Sequence, residues 1–451
     1  MTHASLIPHV PRYNGRMNFP TLKIIEDLAE IPAADWDALA GGDPFLSHAY
    51  LYALQASGCA TAEFGWQAQF ITLWQDERLL GAMPLYLKMN SYGEHVFDWA
   101  WADAYQQHGL RYYPKLVCTV PFTPVTGKRL LVAPGADADE VRALLLRHAL
   151  EFAKEFTLFP ALSYRGTGSV VESTPSPALP DGTTSHSTKP ASGQVAGYLQ
   201  GGGEDAGVSS LHCLFLDEAD AREAQAQGMM LRRDVQFHWH NAAPGQNRGY
   251  RDFEDFLAAL SRDKRKRIRQ ERRKVQEAGI ELQCVTGEHA TAGQWAFFAS
   301  CYAHTRQTHH SPPALNEDFF RRIGATLPQH TLLVIASREG QPIASALNIV
   351  TKDVLYGRSW GAFEFHSGLH FETCYYQAIE FCIARNIRTF EGGAGGDHKL
   401  ARGFLPVTTH SAHWLAHPQF ARAVEDYLQR ETDAISGYVD ELNERSPFKH
   451  R

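Results

Sequence analysis

Two segments 263 residues apart read alike, and that spacing constrains the fold more than any other feature of the chain. Gln75-Asp76-Glu77-Arg78-Leu79-Leu80-Gly81-Ala82 and Arg338-Glu339-Gly340-Gln341-Pro342-Ile343-Ala344-Ser345 each join a polar turn to an apolar residue and two small ones. Each is expected to be a β-hairpin. The same shift carries Tyr112-Tyr113 onto Tyr375-Tyr376. Strand-hairpin, helix, strand and helix patterns follow one another in both halves. Before the midpoint they are FITLWQDERLLGAMPLYL, Arg129–Val132, a helix over Asp137–Phe156, Leu211–Leu216, Glu218–Gln227 and Asp234–His240. After it come helices near Phe253–Leu260 and Ala290–His304, and strands over Leu332–Ser337, Pro342–Val350 and Val354–Trp360. A helix over Phe371–Arg385, a strand over Thr389–Glu391 and a helix over Gln419–Asn443 complete the second half. The chain of 451 residues has room for two related α/β domains. They are expected at 21–245 and 246–445, after a flexible stretch over 1–20.

One stretch departs from this pattern. Of the 44 residues 166–209, 25 are Gly, Pro, Ser or Thr, too few apolar groups to offset chain entropy, so a disordered insertion is expected. No run of apolar residues is long enough for a membrane span, and no signal peptide is expected at the N-terminus. The seven cysteines are scattered, the closest pair eight apart, which reads as free thiols in a cytoplasmic protein. The formal charge of −7 argues against a globally basic nucleic-acid binder.

The segment Val96–Leu131 mixes aromatics, His108, Lys115 and prolines without clear period. It is either an irregular binding wall, with Trp99, Tyr113 and Lys115 as contacts, or a roof over a core. With GLRYYPKL…VPFTPVTGKRLL, SSLHCLFL, FHWHN, GYRDFEDFLAALSRDKRKRIRQERRKV and FEGGAGGDHKLARGF, the chain resembles the FemAB-like N-acyltransferases of bacteria. These are relatives of the Fem-type aminoacyl transferases of the cell wall. The resemblance spans about residues 21–445 apart from the insertion. It implies tandem GNAT-like α/β domains, each a mixed, mostly antiparallel sheet flanked by helices. It also implies transfer of an acyl or aminoacyl group to an amine, in peptidoglycan-precursor metabolism. The alternative is a non-catalytic module of degenerate acyltransferase domains that recognises a cell-wall precursor or RNA.

Acyl transfer to an amine requires a base, oxyanion donors and a proton for the leaving group. FEGGAGGDHKLARGF ends a strand at Glu391 and bends through Gly392, Gly393, Gly395 and Gly396. Glu391, Asp397 or His398 is a candidate base there, and Lys399 and Arg402 candidate anion binders. The glycines, among them Gly393 and Gly395, would let backbone N–H groups approach a ligand. On VLYGRSWGAFE, Tyr356, Arg358 and Trp360 share one face by period two. Arg358 among aromatics needs a charged partner, either a ligand or Glu364 or Glu391. Tyr356 joins the catalytic candidates, and Arg358 and Trp360 the substrate-binding ones.

GNAT proteins that use acetyl-CoA carry a glycine-rich phosphate loop after this strand. Here EFHSGLHFE holds Gly368 alone, and Glu372 would repel phosphate at a helix start. Acetyl-CoA is therefore disfavoured as donor, leaving aminoacyl-tRNA as the donor the resemblance implies. Arg262–Lys274 has nine basic and two acidic residues. It is either a solvated helix or a polyanion-binding surface, with Lys264, Arg265, Arg269 and Arg273 as contacts to tRNA or a nucleotide-linked precursor. His238/His240, His309/His310 and His410/His413 lack a third ligand at convincing spacing, so no metal site is expected.

Overall fold

The computed structural model describes residues 20–158, 207–246, 248–308 and 313–449. The first half contributes β1 (Thr21–Ile25), β2 (Trp66–Ala68), β3 (Phe70–Gln75), β4 (Arg78–Met83), β5 (Leu85–Lys88), β6 (Lys115–Cys118), β7 (Leu131–Val132), β8 (Ser210–Leu216) and β9 (Met230–His240). The second contributes β10 (Ile280–Thr286), β11 (Thr331–Arg338), β12 (Gln341–Val350), β13 (Val354–Ala362), β14 (Thr389–Ala394) and β15 (Leu405–Leu415). They form a four-stranded sheet, β1-β3-β4-β7, and an eleven-stranded one, β10-β11-β12-β13-β14-β9-β15-β8-β6-β5-β2.

The two hairpins agree in detail. Leu73 pairs with Gly81 and Ala336 with Ala344, each partner being 263 residues on. Both ladders then shift register at the same place, between Leu73 and Trp74 and between Ala336 and Ser337. Each turn opens on a residue with positive φ, Asp76 at 55° and Glu339 at 52°. Beyond the hairpins each half runs antiparallel into β6 or β13, which then pairs parallel with β8 or β14. The last strand of each half crosses over. β9 lies against β14 of the second half, and β15 lies against β8 of the first. The sheet is therefore continuous, and each half completes the other.

The 263-residue shift does not extend to the tyrosines. Tyr112 and Tyr113 precede β6, whereas Tyr375 and Tyr376 lie in a π-helical turn, Glu372–Tyr376, that follows β13. The reason is length: 26 residues separate β5 from β6, but three separate β12 from β13. Val96–Leu131 is also more regular than expected. It contains a helix, Trp99–Gln107, and β6. Most of the expected insertion, 166–206, lies outside the described residues, as do 1–19. Its end is packed rather than free: Val208 is buried, and Ser209 N–H donates to Pro114 O at 3.0 Å.

Two cores flank the second half of the sheet. One face meets the helices Ala292–Thr308 and Glu317–Thr326 and shares a cluster with Phe45, Tyr50 and Leu51 of the first half. The other meets the helices Phe253–Ala259, Arg262–Glu277, Gln377–Ala384 and Pro418–Glu444. No described helix is long and apolar enough to cross a membrane.

Candidate active site between the halves

β13 and β14 pair only from Val354–Thr389 to Tyr356–Glu391, although both strands run on. Two irregularities part them. β13 bulges: Gly357 faces Asn348, Ser359 faces Leu347, and Arg358 is the extra residue between. β14 slips against β9 between Glu391 and Ala394. Gly392 has no room for a side chain there, since a Cβ would stand 2.9 Å from Phe404 and 3.0 Å from Phe237 O. Gly393, at φ 73°, makes the bend. The fork opens directly beyond Tyr356 and Glu391.

Cross-strand partners share a sheet face, so Tyr356, Glu391 and His238 stand in a row. Gln236, two residues before His238, extends it. The first half supplies the opposite wall. The Phe45 ring meets Tyr356 edge-on at 5.0 Å and lies 5.7 Å from the Arg358 guanidinium. Arg358 Nη2 donates to Phe122 O at 2.9 Å, and Gln236 Nε2 donates to Pro124 O at 2.8 Å. His238 Nε2 and Gln236 Oε1 lie 3.2 Å apart. Asp43 stands beside Phe45 and accepts its N–H at 2.9 Å.

Glu391 Oε2 is buried without a hydrogen-bond partner among the described residues. Burial pushes this carboxyl up to about 8; Arg358 opposes the rise and the Asp43 charge adds to it. Burial also raises the Tyr356 phenol and the Asp43 carboxyl. It lowers His238 to about 4, so that imidazole is neutral at ordinary pH. A basic carboxyl, a phenol and a guanidinium thus converge where the two strands part. Proton transfer at a bound nucleophile is the chemistry this set can do.

The other expected contacts lie elsewhere. The bulge turns Trp360 to the opposite face, where it packs 4.8 Å from the His370 ring. His398 is also there, with Nε2 3.3 Å from Tyr375 OH. The Asp397 side chain lies outside the described residues. Lys399 is buried and donates to Gly393 O at 3.2 Å and Ala394 O at 2.7 Å, so it ties the glycine loop to itself instead of facing a ligand. Arg402 is buried too, bonded to Glu271 at 2.7 Å and stacked 3.3 Å over Phe371. Gly393 and Gly395, at φ 73° and 77°, serve the turn. Glu372 does not face a phosphate site, because Arg272 holds it bidentately.

Lys115 and Tyr113 belong to a separate network. Lys115 is fully buried in ion pairs with Glu94, at 2.8 Å, and Asp98. Tyr113 OH and Lys115 Nζ both meet Ser91 Oγ. Trp99 packs edge-on against Tyr92. On the basic helix, Arg273 is exposed, Arg269 pairs with Glu254, and Lys264 and Arg265 are half-buried. Asp43, Phe45, Phe122, Gln236 and His238 were not expected at the site. Only the FHWHN alternation offered a signal, since period two puts His238 and His240 on one face.

Fold and site together define an α/β protein of two similar units, with a forked, carboxylate-bearing strand pair in the second unit facing the first. The chain belongs to the FemAB-like family, described as peptidoglycan biosynthesis/recognition, whose model matches residues 27–162 and 183–450. Among solved structures it is similar to FemX, at 10% identity and TM-score 0.46, covering 88% of this chain and 98% of that one. It is also similar to a tandem GNAT protein from the clavulanic acid biosynthesis pathway, at 11% identity and TM-score 0.41, covering 88% and 99%. A GCN5-related N-acetyltransferase from Anabaena variabilis matches at 10% identity and TM-score 0.35, covering 88% and 73%. Comparison with curated proteins gives no match.

Proposed function

We propose that the chain is an N-acyltransferase that moves an acyl or aminoacyl group to an amine of a peptidoglycan precursor, using the fork between β13 and β14. The observation that carries this reading is Glu391, whose unpartnered oxygen stands where the two strands part. An acceptor amine arrives largely as ammonium and attacks only when neutral. A carboxylate whose proton affinity is raised toward that of an amine accepts the proton better than an ordinary one. The edge of β13 beyond Tyr356 has no strand partner on the β14 side, which leaves it free to offer backbone donors to a developing oxyanion. Arg358 balances negative charge, and Tyr356 stands as proton donor to the leaving group. The family description includes recognition as well as biosynthesis, so binding without turnover is the rival reading.

Glu391→Gln separates them. Acyl transfer to an amine acceptor, followed by mass spectrometry, should fall by about 10²- to 10⁴-fold, the usual worth of a general base. Ligands retained through gentle purification should remain. Unchanged transfer in the variant would remove Glu391 as the base, and no transfer by the wild type with any precursor it retains would leave recognition as the function.

A further inference from the structure

Two helices of opposite charge pack on the same face of the large sheet. Arg262–Glu277 buries Ile268 and Val275. Its exposed stripe holds Arg262, Lys266, Arg269 and Arg273, at i, i+4, i+7 and i+11. Among the described residues only Arg269 of these four has an ion-pair partner, Glu254. Pro418–Glu444 buries Val424, Leu428 and Leu442. It carries seven acidic residues against Arg422 and Arg430. Its exposed stripe holds Asp433, Gly437, Asp440 and Glu444, at the same i, i+4, i+7 and i+11. None of these three carboxylates has an ion-pair partner among the described residues. At 1.5 Å per residue each stripe is about 16 Å long. The start of the first helix meets the end of the second, where Ser261 N–H donates to Pro447 O at 2.9 Å, and Ile268 and Leu442 belong to one core.

Gly437 adds an independent observation. It is exposed in mid-helix, and a Cβ there would meet nothing within 4 Å. Glycine weakens a helix interior relative to alanine. Among the described residues no contact calls for it, whereas a second helix laid close over this point would.

We infer that this face binds a second copy of the chain, each copy laying its Arg262–Arg273 stripe along the partner's Asp433–Glu444 stripe. A two-fold contact is self-complementary, so the attraction occurs twice. The exposed Tyr427 and Tyr438 on the acidic helix add apolar area. A polyphosphate strand suits the face less well, because beside the basic stripe it would meet the acidic helix.

Sedimentation velocity of the full chain tests this. At low salt the wild type should be a dimer, and its dissociation constant should rise about tenfold or more when salt reduces the Debye length from roughly 14 Å to 4 Å. Lys266→Glu with Arg273→Glu should be monomeric, and so should Asp433→Lys with Asp440→Lys. An equimolar mixture of these two variants should recover the dimer, because each reversed stripe then meets a reversed partner. Gly437→Leu, which changes no charge, should weaken the dimer as well. Melting curves would establish that each variant is folded. A wild type that is monomeric at low salt, or a mixture that stays monomeric, would overturn the proposal. So would a wild-type monomer that binds total RNA on filters and loses it on reversal of Lys266 and Arg273.

Discussion

Burial raises the Glu391 carboxyl, which gives stability a pH dependence of definite sign. Its carboxyl holds a proton up to about 8 in the folded chain, against about 4.5 when exposed. Between those values the folded state binds more protons than the unfolded one, so stability falls as pH rises through the window. Glutamine at the same position does not titrate. Glu391→Gln should therefore gain on the wild type in denaturation midpoint from pH 5 to pH 8, and match its slope below pH 4. A constant difference across that range would mean that Glu391 is not raised. Arg402 behaves differently. Its partner Glu271 lies 131 residues away in sequence and its guanidinium is nearly fully buried. Arg402→Met should cost about 1–3 kcal/mol, because Glu271 loses its buried partner and keeps only Arg267, at 3.0 Å, and the Tyr376 hydroxyl. Chemical denaturation would show this, while ligand affinity per folded molecule should hold. This contrast marks what could be read from residues alone. Strand period and a strand end pointed to Tyr356, Arg358 and Glu391. Nothing local in the sequence reveals that Lys399 and Arg402 are used up by the carbonyls of Gly393 and Ala394 and by Glu271.

Among the elements, the hairpins were legible because two-residue turns and alternating apolar residues are local signals. Bulges are not, since they depend on the partner strand. The bulge at Arg358 is why Trp360, two residues further on, faces away from the cleft. Trp99–Gln107 has only a weak local signal, because it buries only Trp101 and Tyr105 and its N-cap Asp98 makes no side-chain capping bond. The slip in β14 gives this scale its own test. Gly392→Ala places a methyl against Phe404 and Phe237 O, and overpacking of that kind costs about 1–3 kcal/mol. Because the strain falls next to Glu391, acyl transfer should drop by more than the loss of folded protein. Activity per folded molecule, with folding followed by circular dichroism, measures this. Equal losses would make the glycine purely structural.

For the whole molecule, exchange of β9 and β15 makes neither half complete alone, a relation between residues far apart that no local pattern encodes. The repeat suggested two equivalent units, yet the units differ at their forks. In the first half β6 and β8 pair from Leu116–Leu211 to Cys118–Cys213, and contact resumes only at Gly127–Leu216. The buried Arg129 side chain fills the interval. Its Nε donates to Leu214 O at 2.9 Å, and its other nitrogens to Lys128 O at 2.8 Å and Val125 O at 2.6 Å. The Asp220 carboxylate fixes the segment, accepting from Arg129 N at 2.5 Å and Leu130 N at 2.9 Å. A guanidinium held by three carbonyls leaves no slot for a ligand, whereas the second-half fork ends on an unpartnered carboxylate oxygen. The expected stoichiometry is therefore one acyl donor per chain, despite two similar units. Native mass spectrometry of the protein with saturating donor should show a single added mass. Glu391→Arg, which puts a cation in the second fork as Arg129 does in the first, should abolish that mass, while Arg129→Lys should leave it. Two bound copies in the wild type, or one that survives Glu391→Arg, would place the donor in the first half.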